Sequence, residues 1–349
     1  KTGAGGPRFV SIDKVEDVIK LAARRIDLDI VRDFDFPQAR MDALDEVSAL
    51  AIGAGIDALR DAGIPMIMNY KLTSKGSELP DRWLLPEDMR DDTGIIFASA
   101  FPGYNQFATQ MKNYYNDKNY NEKLNTLLDI KSKLTLLAGA DQLVRQINQQ
   151  INELNTFLEE NAFTFDRRFL FQVLSMGHAQ FAEYIGARGP NTSMNAACAS
   201  TTQAVAMAKD WIEAGRCNRV LVIAADDITG ENTLEWFASG FIASGAAATD
   251  ERVEDAALPF DRRRHGMIIG MGGASLVVES REVAEKRGIT PIAEILSTVI
   301  ANSAFHGTRL DVSHIKHVME KLVSDAEKQW GINRHNIASK TVFISHETY

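Results

Sequence analysis

The 349-residue chain has little of several things, and each shortage closes a class of function. It holds two cysteines, Cys198 and Cys217, too few for a disulfide framework, which fits a protein of a reducing compartment. It has no surplus of basic residues. Lys and Arg total 38 against 47 Asp and Glu, a net charge of −9, and so large a negative excess disfavours nucleic acid or an anionic membrane as partner. No apolar run is long enough to span a bilayer and no signal peptide is visible, so no membrane insertion and a cytoplasmic location are expected. The seven histidines show no metal-ligand spacing. His314 and His317 lie one helical turn apart but lack a third ligand at metal spacing, so they read as a solvated helix face. No nucleotide or redox-cofactor pattern stands out: GMGG (270–273) precedes a strand rather than a helix.

What is present is an alternation of apolar runs and helical patterns. Residues 41–63 form an amphipathic pattern closed by Gly63 and Pro65. Buried strands are expected at 93–99, 219–225 and 341–345, a glycine-punctuated turn leading into a strand at 267–279, a strand at 291–298, and helices at 169–185, 199–215 and 312–330. Residues 70–92 read as a polar loop. Residues 104–165 are rich in Asn, Gln, Lys and Leu and read as a helical insertion, whose Leu/Ile stripe at 143–161 suits core packing better than a recognition face. Such alternation indicates an α/β protein with a largely parallel sheet. An apolar run ending so near Tyr349 suggests a piece of a longer polypeptide.

The richest stretch is NTSMNAACASTT (191–202). An extended run leads to Cys198, and a helix begins just after it. A cysteine there meets the positive end of the macrodipole and unpaired N–H groups, a setting that favours thiolate, while Ala196, Ala197, Ala199 and Ser200 leave room for a substrate carbonyl. The bland alternative is an inert small hydrophobe. Cys217, at the far end of the same helix, reads as structural. Asp226 and Asp227 read as strand-end loop residues rather than metal ligands.

Four segments, in order, resemble the β-ketoacyl synthase family of condensing enzymes: ALRDAGI (58–64), TGIIFASAFPG (93–103), GPNTSMNAACASTTQAVAMA (189–208) and LPFDRRRHGMIIGMGGASLVVE (258–279). The resemblance runs from about residue 41 to 349. It implies a thiolase-like fold of two related α/β halves with layered sheets and helices. Residues 1–280 would be the N-terminal half carrying the nucleophile and the 104–165 insertion; 281–349 would begin a second half, here truncated. It places Cys198 on the acyl-accepting cysteine and, in FISHETY (343–349), His346 on the first of two catalytic histidines. His306 in FHGT (305–308) is a competitor that comes too early in the topology. Thr348 would contact a pantetheine arm, and Asp261 with Arg264 would form a structural ion pair near the site. Three positions depart from the family: Ala196 replaces a threonine, Glu347 follows the histidine in place of glycine, and His265 replaces an acidic residue.

The implied chemistry is decarboxylative Claisen condensation of an acyl thioester with a malonyl-type extender in fatty-acid or polyketide biosynthesis, with no cofactor beyond the phosphopantetheine that carries the substrates. The implied partners are an acyl carrier protein or CoA thioesters, a second copy in a homodimer, and other domains of a larger synthase. The open alternatives are a non-condensing thiolase-fold acyltransferase and a carrier-binding scaffold. Acyl chain length and extender unit are not legible in the sequence.

Overall fold

The computed structural model describes residue 14 and residues 17–25, 27–304 and 311–346. In chain order its elements are β1 (Ala22–Ala23), α1 (Ile30–Phe34), α2 (Gln38–Met41), α3 (Glu46–Asp61), β2 (Ile67–Leu72), β3 (Glu78–Leu84), α4 (Glu87–Arg90) and β4 (Thr93–Ala98). Then follow α5 (Tyr104–Leu134), α6 (Asp141–Asn161), α7 (Phe169–Val173), α8 (Gly177–Ile185), β5 (Asn191–Met194), α9 (Ser200–Glu213) and β6 (Arg219–Asp227). Last come α10 (Leu234–Ala243), α11 (Val253–Ala256), β7 (Ile269–Glu279), α12 (Arg281–Lys286), α13 (Val312–Trp330) and α14 (Arg334–Ile337).

The sheet has five strands in the order β1-β7-β6-β4-β5. It is mixed: β4 runs parallel to β5 and β6, and β1 parallel to β7, but β6 and β7 pair antiparallel. The apolar runs of β4 and β6 are continuous because both faces of these strands are covered. Side chains alternate across the pleat. Ile95, Phe97, Leu221, Ile223 and Ala225 join the core beneath α3 and α8, while Ile96, Ala98, Val220, Val222 and Ala224 join the core beneath α9. Small residues bring the helices close. A Cβ on Gly55 of α3 would sit 2.5 Å from the Phe181 ring of α8, so only glycine permits that approach. Ala204 and Ala208 of α9, both fully buried, serve the same end on the other face.

The helical stretch at 104–165 is an αα-hairpin of α5 and α6. Ile147, Ile151 and Leu154 of its Leu/Ile stripe are buried, so that stripe is core packing, as its spacing indicates. Elsewhere the structure departs from the sequence expectations. Residues 70–92 are no loop: β2 and β3 pair antiparallel around a turn at Gly76, whose φ is +78°. Most of their side chains are exposed on both faces, so the strands lack the apolar alternation that reveals a half-buried hairpin. The helix expected over 169–185 is interrupted, with Leu174 extended between α7 and α8.

The strands expected at 291–298 and 341–345 do not form. Val342, Phe343 and Ile344 are 81%, 70% and 77% exposed, and Ile292 is 95% exposed. An apolar run becomes a strand only beside another that takes up its N–H and C=O groups, and among the described residues no such neighbour is paired with these segments. The helix at 312–330 is present as α13, with no buried residue; its end touches the body where the Trp330 indole donates to the Leu296 carbonyl at 2.7 Å. No helix among the described residues is long and apolar enough to cross a membrane.

Candidate active site

The parallel strands β4, β5 and β6 end on the same side of the sheet, where functional sites of open α/β sheets gather. After β5 the chain turns sharply into α9, and the turn is built from short polar side chains. The Asn195 carboxamide oxygen accepts from the Ala197 amide at 3.1 Å, an Asx turn. The buried Ser200 hydroxyl accepts from the Ala196 amide at 2.8 Å and donates to the Ala197 carbonyl at 2.6 Å. Between these braces Ala197 sits at φ +48°, in the left-handed region that alanine enters at a cost of roughly 1–2 kcal/mol. Cys198 follows it, exposed, with only Ala199 between it and the first residue of α9. The turn thus sets an exposed thiol just ahead of the first residue of α9, next to a residue held in a strained backbone conformation.

Cys217 behaves as expected of a structural thiol. It is 3% exposed and packs in the core beneath α9, and burial pushes its thiol pKa up.

The turn after β4 closes the site on one side. Ser99 donates from its amide to the Met194 carbonyl at 3.2 Å, and Asn195 Nδ2 donates to the Ala100 carbonyl at 3.0 Å, which ties the 99–101 turn to the Cys198 turn. Two carboxylates hold that turn from behind. Asp226, at the end of β6, accepts from Ser99 Oγ and the Ala100 and Phe101 amides. Asp45, the buried N-cap of α3, accepts from the Gly103 amide at 3.1 Å, and burial pushes its carboxyl pKa up. The Phe101 ring packs edge-on against Phe237 of α10 at 4.7 Å. Sequence reasoning missed Asn195, Ser200 and the use of Asp226. Asparagine immediately before a small-residue pair is an Asx-turn signal; nothing local marks Asp226.

His346 is exposed at the end of the extended 341–346 segment, and among the described residues no hydrogen bond joins it to the Cys198 turn. Thr348 and His306 lie outside the described residues. Asp261 does not pair with the Arg264 side chain as its ion partner. Its carboxylate holds Arg263 at 2.8 Å, which lowers its pKa to about 2, while Arg264 Nη1 donates to the Asp261 carbonyl. His265 bridges two segments, with Nδ1 at 3.0 Å from the Arg263 carbonyl and Nε2 at 2.6 Å from Asp250. Both partners favour the imidazolium, and they raise the His265 pKa above its ordinary value. An apolar cleft of about 310 Å³ between Val18, Leu21, Leu234 and Ile242 does not include the Cys198 turn.

Residues 137–284 match the family model of the β-ketoacyl synthase N-terminal domain, a span that contains Cys198 and the whole of its turn. Over that span the chain carries a β-ketoacyl synthase N-terminal domain. A 3-oxoacyl-[acyl-carrier-protein] synthase 2 of Staphylococcus aureus is 31% identical over 133 residues, 38% of this chain and 32% of that protein. The chain therefore matches about a third of the length of this curated relative. Among solved structures, a β-ketoacyl synthase from Burkholderia phymatum STM815 superposes with a TM-score of 0.61 at 20% identity, covering 90% of this chain and 61% of that one. The ishigamide ketosynthase/chain length factor superposes with a TM-score of 0.55 at 20% identity, covering 90% of this chain and 59% of that one. The fold of the β-ketoacyl synthase domain is therefore the thiolase-like fold of the ketosynthases.

Proposed function

We propose that this protein is a β-ketoacyl synthase that condenses an acyl thioester with a malonyl-type extender through an acyl group held on Cys198. The observation that carries the reading is the exposed Cys198 thiol on the strained turn before α9. In the first half-reaction the Cys198 thiolate attacks the thioester carbonyl; the C–S bond to pantetheine breaks, and the pantetheine thiol leaves with a proton. The tetrahedral oxyanion needs N–H donors, and the Cys198 amide at the start of the helix is placed to be one; a single such donor is commonly worth about 3 kcal/mol. In the second half-reaction the extender loses CO2, the resulting enolate forms the new C–C bond to the acyl carbon, and Cys198 leaves as thiolate. His346 would donate a hydrogen bond to the extender thioester oxygen as charge develops there, and Thr348 would touch the pantetheine arm. Both roles rest on the family resemblance of the 343–349 segment.

The substrates would arrive on the phosphopantetheine of an acyl carrier protein or on CoA, as the name of the S. aureus relative suggests for that enzyme. A homodimer fits the placement of β5, one of the two edge strands of the five-stranded sheet among the described residues, since an edge presents N–H and C=O groups to a second copy. A second reading, a scaffold subunit that binds a carrier without condensing, is favoured by the superposition on a ketosynthase/chain length factor pair. The two separate by intact-mass spectrometry after incubation with acyl-CoA and acyl-carrier thioesters. The condensing reading expects a hydroxylamine-labile acyl adduct on wild type that Cys198→Ala abolishes. Folded wild-type protein that takes no acyl group supports the scaffold instead.

A further inference from the structure

Asp226 has no part in the chemistry above, yet it is the best-satisfied carboxylate near the site. Its Oδ1 accepts from Ser99 Oγ at 2.8 Å, from the Ala100 amide at 2.9 Å and from the Phe101 amide at 2.8 Å, and its Oδ2 lies 3.1 Å from the Ala100 amide. Its neighbour Asp227 does a different job, closing its own loop by accepting from the Thr229 amide at 2.7 Å. Three donors converging on one side chain call for a group that only accepts, which a carboxylate is and a carboxamide is not. Such charge-assisted bonds are stronger than neutral ones, so the 99–101 turn is fixed by the end of β6 rather than by its own sequence.

From that turn the connection runs on without a gap. The Ala100 carbonyl, held between two amides that Asp226 grips, accepts from Asn195 Nδ2 at 3.0 Å. The other end of the same carboxamide accepts from the Ala197 amide at 3.1 Å. Ala197 holds φ +48° and precedes Cys198 directly. The conformation costs free energy, so something must over-determine it; the Ser200 hydroxyl holds the Ala197 carbonyl, and the Asx turn holds the Ala197 amide only if Asn195 itself is held. The exposed Asn195 has few neighbours to fix its rotamer; the Ala100 carbonyl is the partner that does. We infer that Asp226 and Asn195 are positioning residues for Cys198, acting as one chain from the end of β6 through the 99–101 turn to the strained Ala197. The inference rests on the reading of Cys198 as the acyl acceptor.

The test is single-turnover acylation of the full chain by octanoyl-CoA, with iodoacetamide alkylation of the Cys198 peptide measured in parallel. Asp226→Asn places an N–H group among donors. Asn195→Asp keeps the acceptor for Ala197 but loses the donor to Ala100. Each variant is expected to lower the saturating acylation rate roughly tenfold, the scale of a small misplacement of a reacting group, with the half-saturating octanoyl-CoA concentration unchanged within about twofold. The double variant is expected to be no slower than the slower single, because both changes break one chain. A wild-type rate in either single, or a double equal to the product of the singles, overturns the inference. If wild type takes no octanoyl group from CoA, the thioester panel above tests the condensing reading, and alkylation decides the inference separately. A shared, non-additive fall of at least about threefold in alkylation supports it, and an unchanged rate overturns it. Should Asp226→Asn fail to fold, Ser99→Ala replaces it in the cycle, since it removes one donor from Asp226 and leaves the carboxylate in place.

Discussion

At the end of the sheet away from Cys198, Arg219 opens β6 and is only 2% exposed. Its Nε and Nη2 donate to Glu279 Oε1 at 2.8 and 2.5 Å, and its Nη1 donates to Thr93 Oγ1 at 3.2 Å. The second Glu279 oxygen takes Arg287 Nη1 at 2.6 Å, and Arg287 Nη2 reaches the Ala62 carbonyl at 2.5 Å. One carboxylate thus joins the starts of β4 and β6, the end of β7, and the loops that close α3 and α12. Glu279→Gln keeps the shape, but its NH2 must face one of the two guanidinium groups and the buried Arg219 charge loses its counter-charge. Three charge-assisted bonds at about 1.5–3 kcal/mol each set an upper bound. The glutamine oxygen retains part of this, and removing one partner of a buried pair typically costs about 3–5 kcal/mol. Against a total stability of roughly 5–15 kcal/mol that is a large loss. Urea unfolding followed by circular dichroism should show a lower midpoint at unchanged slope. Arg219→Met, Glu279→Leu and Arg287→Met together should lose less than Glu279→Gln alone, because no guanidinium is then left beside a missing carboxylate. Cys198 alkylation should not change, since the network lies at the opposite strand ends. A loss below about 1 kcal/mol for Glu279→Gln would refute the reasoning.

Three further outcomes are expected. Gly103→Ala meets both a φ of +69° and a Cβ position 2.5 Å from the Val173 carbonyl oxygen, so it should cost roughly 2–4 kcal/mol in urea unfolding and slow Cys198 acylation by shifting the turn. The His265 imidazolium is favoured first by the Arg263 carbonyl and then by Asp250, with Asp255 adding to the field, which raises its pKa above 6.5. Its contribution to stability is therefore full below 6.5 and lost as pH rises through the raised value; NMR titration should show that value, and His265→Gln should remove this step from the stability–pH curve. Iodoacetamide under native conditions should label Cys198 and spare Cys217, and equal labelling of the two thiols would contradict the burial of Cys217.

The amino-acid sequence by itself determined the parts of this protein whose physics is local. The apolar runs of β4 and β6, the helical spacing of α3, α9 and α13, and the Leu/Ile stripe of α6 follow from periodicity, because burial of one face leaves its period in the chain. Cys198 at a strand-to-helix junction was legible for the same reason. Tertiary structure alone decided the rest. The β2–β3 hairpin is exposed on both faces and so leaves no alternation to read. The runs at 291–298 and 341–345 have strand composition but lack a paired neighbour, and composition cannot supply one. The antiparallel β6–β7 pair is a matter of topology. At the site, Asp226 and Ala100 are 126 residues apart and Asn195 and Ala100 are 95 apart, so no local pattern links them. Sequence set Cys198 at the head of its helix; only the convergence of three strand ends decided what holds it there.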